Sequence, residues 1–541
     1  MLRVEIRRIA LRLGLPLGFA VACGLCTISS AAQTSNQSRH VVVVVWDGMR
    51  PDFVSEQNTP TLWKLAHEGV TFRNHHSLYP SATMVNGTAI VTGVYPGENG
   101  IIANHVYRQE IDPRHAIDVE IPSVVGKGDD LSGGKYISVP TIAEFIQRAG
   151  GRSVIAAAKT VGLLLDRRVE SNAGRIESAS PLVEGERTKV RGSSSVTLFA
   201  GKSLPDDALG PIIDALGPFP SAHLQKDAWT TKALTEFFWK DGVPALSILW
   251  LGEPDLAQHA SAPGAPPALA AIKASDENLA AVLSALDQKK ARETTDVFVV
   301  SDHGFSTIKR SIDLEKLLND AGFAAKTEFQ NEPKPGDIML AGNGGSVLFY
   351  VIGHDERLTR RLIEFLQQSD FAGVIFTRKL LQGTFALEQV MIQNDHAPDV
   401  VMAFRWNDSK NQFGVPGMID ADWQRAAGKG THATLSRFDM HNTLIAVGPD
   451  FRRGEADDLP TGNIDVTPTI LQILGIKAPV QMDGRILSEA MTKTMSALKP
   501  VTKTVEATKD FPSGGWRQSL QISRVGSTVY LDEGSGAFQK R

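Results

Sequence analysis

Cysteine is almost missing from this 541-residue chain, and the two that occur, Cys23 and Cys26, both lie within the first 32 residues. The rest of the chain has no disulfide to draw on and no thiolate to offer a metal. Any metal site must therefore be built from His, Asp, Glu or hydroxyl groups. A basic surplus is missing too. With 56 Lys and Arg against 60 Asp and Glu, the formal charge is −4, so there is no overall positive field to hold a nucleic-acid polymer. Nor is there an uninterrupted apolar run of the ~20 residues that a membrane-spanning helix needs. The nearest approach, Leu13 to Ile28, is broken by Gly14, Pro16, Gly18 and Gly24. It follows Arg3, Arg7, Arg8 and Arg12 and ends in Ser29-Ser30-Ala31-Ala32. That order predicts a secretory signal peptide over residues 1–32, hence an exported protein, periplasmic or extracellular, with no stable membrane span after processing. Cleavage after Ala32 would remove four Arg and one Glu and take the charge to −7. A lipid anchor on Cys23 is disfavoured, because Ala20 rather than Leu opens the small-residue segment before it.

What the chain does contain is a rhythm of short apolar runs within a composition, 42% hydrophobic and 21% charged, that fits a soluble globular protein. The runs Val41–Trp46, Leu246–Leu251, Val297–Val300, Ser346–Val351, Val400–Phe404 and Thr443–Val447 are apolar at successive positions, as buried parallel strands are. Segments with apolar residues three or four apart lie among them, including Thr59–Gly69, Pro140–Ala149, Pro267–Leu286, Arg357–Gln368 and Pro468–Leu474. The alternation predicts an α/β fold: a mainly parallel central sheet flanked by helices, with an inserted cap subdomain and a small C-terminal β extension. The expected organisation is one catalytic domain over residues 38–495. Insertions are expected at about 105–244, with a hairpin near Val196–Phe199, and at about 305–427. A β tail is expected over 496–541.

Three of the apolar runs end directly in acidic or acid-plus-histidine sequence: Trp46-Asp47-Gly48, Leu251-Gly252-Glu253-Pro254-Asp255 and Val300-Ser301-Asp302-His303-Gly304. One Asp after a strand is usually a turn or a helix cap. Three such junctions point instead to a common crevice outside the carboxyl ends of a parallel sheet. Asp255 and His259 are spaced i, i+4, on one face if that segment is helical. His432, in Gly428-Lys429-Gly430-Thr431-His432, is expected in a flexible loop as an exposed residue with no packing duty. Together Asp47, Asp255, His259, Asp302, His303 and His432 make an oxygen-and-nitrogen set suited to Zn²⁺ or another divalent ion. In Tyr79-Pro80-Ser81-Ala82-Thr83 a helix is expected to open after Pro80 and run to Thr92, with first-turn N–H groups that favour an anion. Either Ser81 or Thr83 could supply a metal-activated hydroxyl there, and spacing alone does not choose between them.

These segments, in order, resemble the type I phosphodiesterase/nucleotide pyrophosphatase family of the alkaline phosphatase superfamily. The likeness runs through Asp47-Gly48-Met49-Arg50-Pro51-Asp52, Asn58-Thr59-Pro60-Thr61-Leu62, Tyr79-Pro80 to Thr83, Val91-Thr92-Gly93-Val94-Tyr95-Pro96 and Asn99-Gly100-Ile101 with Asn104. It continues through Pro254-Asp255 with His259, Ser301-Asp302-His303-Gly304 and Gly430-Thr431-His432, and covers roughly Val41 to Arg485. The resemblance implies an alkaline-phosphatase-like core and two Zn²⁺ ions, other divalent ions being able to serve. It implies that Asp47, Thr83, Asp302 and His303 hold one ion and Asp255, His259 and His432 the other. Thr83 would be the nucleophile and Asn104 a donor to a non-bridging phosphate oxygen. Lys159 lies where some monoester-cleaving relatives contact phosphate. Small phosphate esters are the implied substrates, cleaved through a phosphothreonine. Met84 stands where the family commonly has an aromatic that stacks on a nucleobase, which weakens the implication of a nucleotide. A sulfatase is excluded by Ser81-Ala82-Thr83-Met84-Val85, which lacks the Pro and Arg of a formylglycine segment. A phosphomonoesterase or phosphonate hydrolase is the alternative, and a secreted metal-binding protein without turnover is a more distant one.

Overall fold

Five consecutive valines, Val41–Val45, favour extended backbone because β-branched side chains lose rotamer freedom in a helix. In the computed structural model, which describes residues 39–167, 195–478, 480–493 and 498–541, they form strand β1 (His40–Trp46). All five are fully buried, and burying each stabilises the fold by about 1.5–3 kcal/mol over leaving it exposed. The expected signal peptide lies outside the described residues.

The central sheet continues with β2 (Val70–Phe72), β3 (Ser153–Ala157), β4 (Val196–Phe199), β5 (Lys202–Leu204), β6 (Leu246–Leu251), β7 (Thr295–Val300), β8 (Leu444–Val447) and β9 (Glu455–Asp457). Their order across the sheet is β9-β2-β8-β7-β1-β6-β3-β4-β5. The middle, from β7 through β1, β6 and β3 to β4, is parallel throughout, whereas β8 joins β7 antiparallel and β5 closes the far edge as a hairpin with β4. Register puts Val45 opposite Val300 and Trp46 opposite Leu251. The residues that follow β1, β6 and β7 therefore emerge at one edge.

Alternation along β1 divides the core. Val41, Val43 and Val45 face the helices Thr83–Thr92 and Val466–Leu474 through Ile90, Val91, Val466 and Ile470. Val42, Val44 and Trp46 face the helices Pro60–Glu68 and Pro266–Gln288 through Leu62, Leu65, Ile272 and Leu279. The result is a layered α/β/α core. Among the described residues no helix is long and apolar enough to cross a membrane.

The structure corrects three strand expectations: Thr443–Val447, read with the parallel strands, forms β8 and lies antiparallel to β7. Ser346–Val351 and Val400–Phe404 are outside the central sheet and pair antiparallel with each other in a separate six-stranded sheet. They read as parallel strands because both of their faces are covered, Leu348 by one apolar cluster and Val347 and Phe349 by another. Burial on two faces does not report strand polarity. Conversely β3, β4 and β5, which fall within the segment 105–244 expected to leave the core, belong to the central sheet. The five residues of β3, Ser153-Val154-Ile155-Ala156-Ala157, are too few and too small to stand out in sequence.

The C-terminal strands Val501–Phe511, Gly514–Val525 and Thr528–Lys540 form an antiparallel three-stranded sheet. It docks on the strand Ala372–Thr377, where the Gln518 side chain accepts from the Ile375 N–H (2.8 Å) and donates to the Ile375 carbonyl (3.1 Å).

Candidate active site at the strand ends

Asp47 follows β1, and Asp302 and His303 follow β7, so the parallel register brings the three together. All three are fully buried. The turn after β1 needs glycine: Gly48 has φ +71°, and a Cβ there would lie 2.9 Å from the Phe305 ring and 3.2 Å from Asp255 Cβ. Asp302 Oδ1 accepts from the Gly48 and His303 N–H groups, each at 3.0 Å. Its Oδ2 has no hydrogen-bond donor and lies 3.3 Å from His303 Nε2. Asp47 Oδ1 is 3.5 Å from that same nitrogen, and Asp47 Oδ2 accepts from Trp250 Nε1 at 2.9 Å.

A second cluster stands beside the first. Asp255 and His259 lie one turn apart in the helix Asp255–Ala260, with His259 Nε2 3.2 Å from Asp255 Oδ1. His432 Nε2 comes within 3.6 Å of the same oxygen, which again lacks a hydrogen-bond donor. His432 is not the exposed loop residue that its glycine-flanked sequence predicts. It is 6% exposed, its ring stacks on His303 at 3.7 Å between centroids, and Gly430-Thr431 just before it pair with the strand Ser306–Ser311. Gly430 permits close approach: a Cβ there would meet the Gln258 carbonyl at 2.5 Å.

The three histidines share one arrangement. Nδ1–H donates to a backbone carbonyl: His303 to Gly304 (2.9 Å), His259 to Gly430 (3.0 Å), His432 to Ser81 (2.7 Å). A carbonyl only accepts, so each neutral ring turns the lone pair of Nε2 toward the carboxylates. Burial lowers the pKa of His259, and burial with His303 and His259 nearby lowers that of His432 well below the ordinary value. Neutral imidazole lone pairs face carboxylate oxygens that have no donor, an arrangement that a cation would satisfy in each cluster. The donor chemistry thus fits a divalent ion in each cluster.

Lys159 bridges the clusters. Its Nζ lies 2.8 Å from Asp47 Oδ2 and 2.9 Å from Asp255 Oδ2, the oxygens turned away from the histidines. Burial opposes its charge, but Asp255 and Asp47 outweigh burial and raise its pKa above the usual value. Burial also pushes the Asp47 carboxyl up, reinforced by Asp302. For Asp255 burial acts upward as well, yet His259 and Lys159 hold its pKa well below the usual range.

Thr83 is the first residue of the helix Thr83–Thr92, which opens two residues later than expected, after Ala82. Its Oγ1 lies 3.2 Å from His303 Nε2 and 3.5 Å from Asp47 Oδ1. The Ser81 hydroxyl is turned away and donates to the Thr434 carbonyl at 3.1 Å. Asn104 Oδ1 accepts from the Met84 N–H at 2.9 Å, which leaves the Asn104 NH₂ as the group still able to donate. The Met84 side chain is 4% exposed and belongs to the main apolar cluster.

The residues that support these ligands are inconspicuous in the sequence. Asp227 accepts from the Gly252 and Glu253 N–H groups (2.7 and 3.1 Å) and shapes the turn into Asp255. Burial pushes its pKa up to about 7. Asp439 accepts from the N–H (3.0 Å) and hydroxyl (2.5 Å) of Thr434, just past His432. Asn463 donates to the Asp302 carbonyl (2.6 Å) and to Asn86 in the Thr83 helix (2.9 Å). The only signal in sequence was local: Ser436 and Asp439 have the spacing of a helix start, which marks a cap rather than a site.

The family model described as type I phosphodiesterase / nucleotide pyrophosphatase matches residues 41–406. A venom phosphodiesterase of Naja atra is 21% identical over 287 residues, 52% of this chain and 28% of that protein. A bis(5'-adenosyl)-triphosphatase of Mus musculus is 30% identical over 84 residues, 16% of this chain and 18% of that protein. The chain thus spans less than a third of the length of the curated relatives it matches. Among solved structures, an inactive murine ectonucleotide pyrophosphatase/phosphodiesterase 5 in complex with AMP is similar, with a TM-score of 0.58 and 16% identity over 84% of this chain and 100% of that one. The human counterpart gives a TM-score of 0.57 at 16% identity, with the same coverage. At such identity the likeness speaks to the fold, which is alkaline-phosphatase-like.

Proposed function

The chain belongs to the type I phosphodiesterase/nucleotide pyrophosphatase family, and from that premise we propose that it is a two-metal hydrolase cleaving phosphodiester or pyrophosphate-type bonds through a phosphothreonine on Thr83. The observation that carries the reading is the Thr83 hydroxyl at the first turn of a buried helix, 3.2 Å from His303 Nε2 and 3.5 Å from Asp47 Oδ1. Asp47, Thr83, Asp302 and His303 would hold one Zn²⁺ and Asp255, His259 and His432 the other. When bound, such ions neutralise phosphate charge and lower the pKa of the hydroxyl and water they touch.

The chain's own residues do the rest. Thr83 Oγ1 forms a bond to phosphorus as the ester P–O bond to the leaving group breaks, and water then cleaves the phosphothreonine and restores the hydroxyl. The helix first turn favours the anionic phosphoryl group. Asn104, its carbonyl oxygen already engaged by Met84, offers its NH₂ to an equatorial phosphoryl oxygen. Lys159 keeps Asp47 and Asp255 in place through their outer oxygens. Small phosphate esters are the proposed substrates. Export is part of the reading, supported by the arginine-led apolar segment before Ala32 and by the venom origin of several relatives.

One observation favours a second reading, phosphomonoester hydrolysis. The Lys159 side chain is 17% exposed and sets its ammonium between the two clusters, where it could meet the extra charge of a monoester. A panel comparing bis-p-nitrophenyl phosphate, p-nitrophenyl phosphate, a pyrophosphate-linked nucleotide and a sulfate ester tests both. Highest kcat/KM on the diester or pyrophosphate supports the main reading. Highest kcat/KM on the monoester supports the second and overturns the first.

A further inference from the structure

We propose that His76, His441 and Asp532 form a third divalent-metal site, of the zinc class, that clamps the C-terminal sheet to the catalytic core. The three come from distant parts of the chain: a two-residue strand His75–His76, the residue just after the helix Arg437–Met440, and the last tail strand. Their ligand atoms lie within 4.8 Å of one another. His76 and Asp532 are buried and His441 is partly open to solvent, which gives an ion a way in.

Two of the three ligands are oriented from behind, as in the two catalytic clusters. His76 Nδ1–H donates to the Thr461 carbonyl at 2.9 Å, so in the neutral ring the Nε2 lone pair points at Asp532 Oδ1, also 2.9 Å away. A proton on Nε2 can bridge that contact, and an ion about 2.0–2.2 Å from each atom can take the proton's place. The other oxygen, Asp532 Oδ2, accepts from the Ser523 hydroxyl at 2.8 Å. Supporting bonds of this kind set the tautomer and direction of metal-binding histidines. The His441 ring lies 4.5 Å from that of His76, tilted against it.

The tail strand also departs from regular pairing at this point. Leu531 pairs with Ile522 and Glu533 with Gln521, so Asp532 is the extra residue of a β-bulge. Bulges re-aim a side chain at the cost of a ladder position, and here the re-aimed side chain is the carboxylate. The clamp would act next to the chemistry, because His441 follows Asp439, whose carboxylate holds the His432 loop through Thr434.

Zinc stoichiometry of the full-length protein, measured by elemental analysis after zinc loading and gel filtration, tests the site. Asp532→Asn, which keeps the side-chain shape, is expected to carry one zinc fewer per chain than the wild type. His441→Gln, on the partly exposed ligand, is expected to show the same loss, and it decides alone if Asp532→Asn yields no soluble protein. Equal stoichiometry in wild type and variants overturns the proposal. Asp255→Asn addresses a different cluster, so Asp255→Asn/Asp532→Asn is expected to lose two zinc ions. A failure of the Asp255→Asn arm alone strikes the catalytic reading and leaves the clamp standing.

Discussion

The cluster of Asp47, Asp302 and His303 and the cluster of Asp255, His259 and His432 stand side by side, but different kinds of structure hold them. The first hangs on the ends of two adjacent parallel strands, and its His303, Asp47 and Asp302 side chains are 0% exposed. The second is assembled from a short helix and a loop far downstream, and its His259 side chain is 13% exposed. The first sets two carboxylates against one imidazole, the second one carboxylate against two. Hydrogen-bonded sheet fixes the first directly, whereas the second relies on supports such as Asp227 and Asp439. The first should therefore bind a divalent ion more tightly and keep it longer, and it is the one that adjoins the Thr83 hydroxyl.

The largest effect should come from Thr83→Ala, expected to lower kcat by about 10³-fold or more while both clusters keep their metal, as removal of a covalent nucleophile does. Full activity in that variant removes Thr83 from the chemistry, and loss of metal together with activity would make Thr83 chiefly a ligand. Metal removal comes next. Under a graded chelator the ion of the second cluster should leave first, giving two phases of release with activity falling in the first. A single phase would erase the distinction between the clusters. Asp439→Asn should weaken metal affinity at the second cluster by about 10–100-fold, the usual size of a loss in ligand support. An equal loss at the first cluster, measured by zinc competition, would show that the loop supports both.

The same contrast explains what could be read from the sequence. Asp47, Asp302 and His303 were legible because a buried strand announces itself as an apolar run, and ligands beyond parallel strand ends converge whatever the loops do. Asp255 and His259 were legible through helical spacing. His432 was legible as a candidate ligand, but its place in the second cluster came only through family resemblance and its burial was not legible at all, since Gly430 looks like flexibility in sequence but serves close packing against Gln258. Strand polarity was hidden as well: Ser346–Val351 is as apolar as β1 yet runs antiparallel to its partner. Asp532 carried no signal, because a bulge depends on the register of two strands and neither strand records it alone.

The smallest expected effect concerns pH and tests whether the second cluster behaves as buried despite its exposed edge. An ordinary imidazole, with a pKa near 6.5, is only about a quarter neutral at pH 6, so two free histidine ligands would together lose roughly 16-fold in metal-competent population. Burial lowers the pKa of both His259 and His432, His432 the more strongly. The folded protein then resists protons that the unfolded chain accepts. The contribution of these groups to stability is complete above the ordinary value and is lost as pH falls below it toward the depressed values. Metal affinity follows the same sign, since the lone pairs stay free until those lower values are reached. Between about pH 8 and pH 6, zinc affinity at the second cluster should change less than about threefold in competition with a chelator of known pH dependence. A weakening of about tenfold or more by pH 6 would mean that His259 and His432 titrate like exposed residues. The second cluster would then be a solvent-facing site, and its contrast with the first would be greater than its geometry implies.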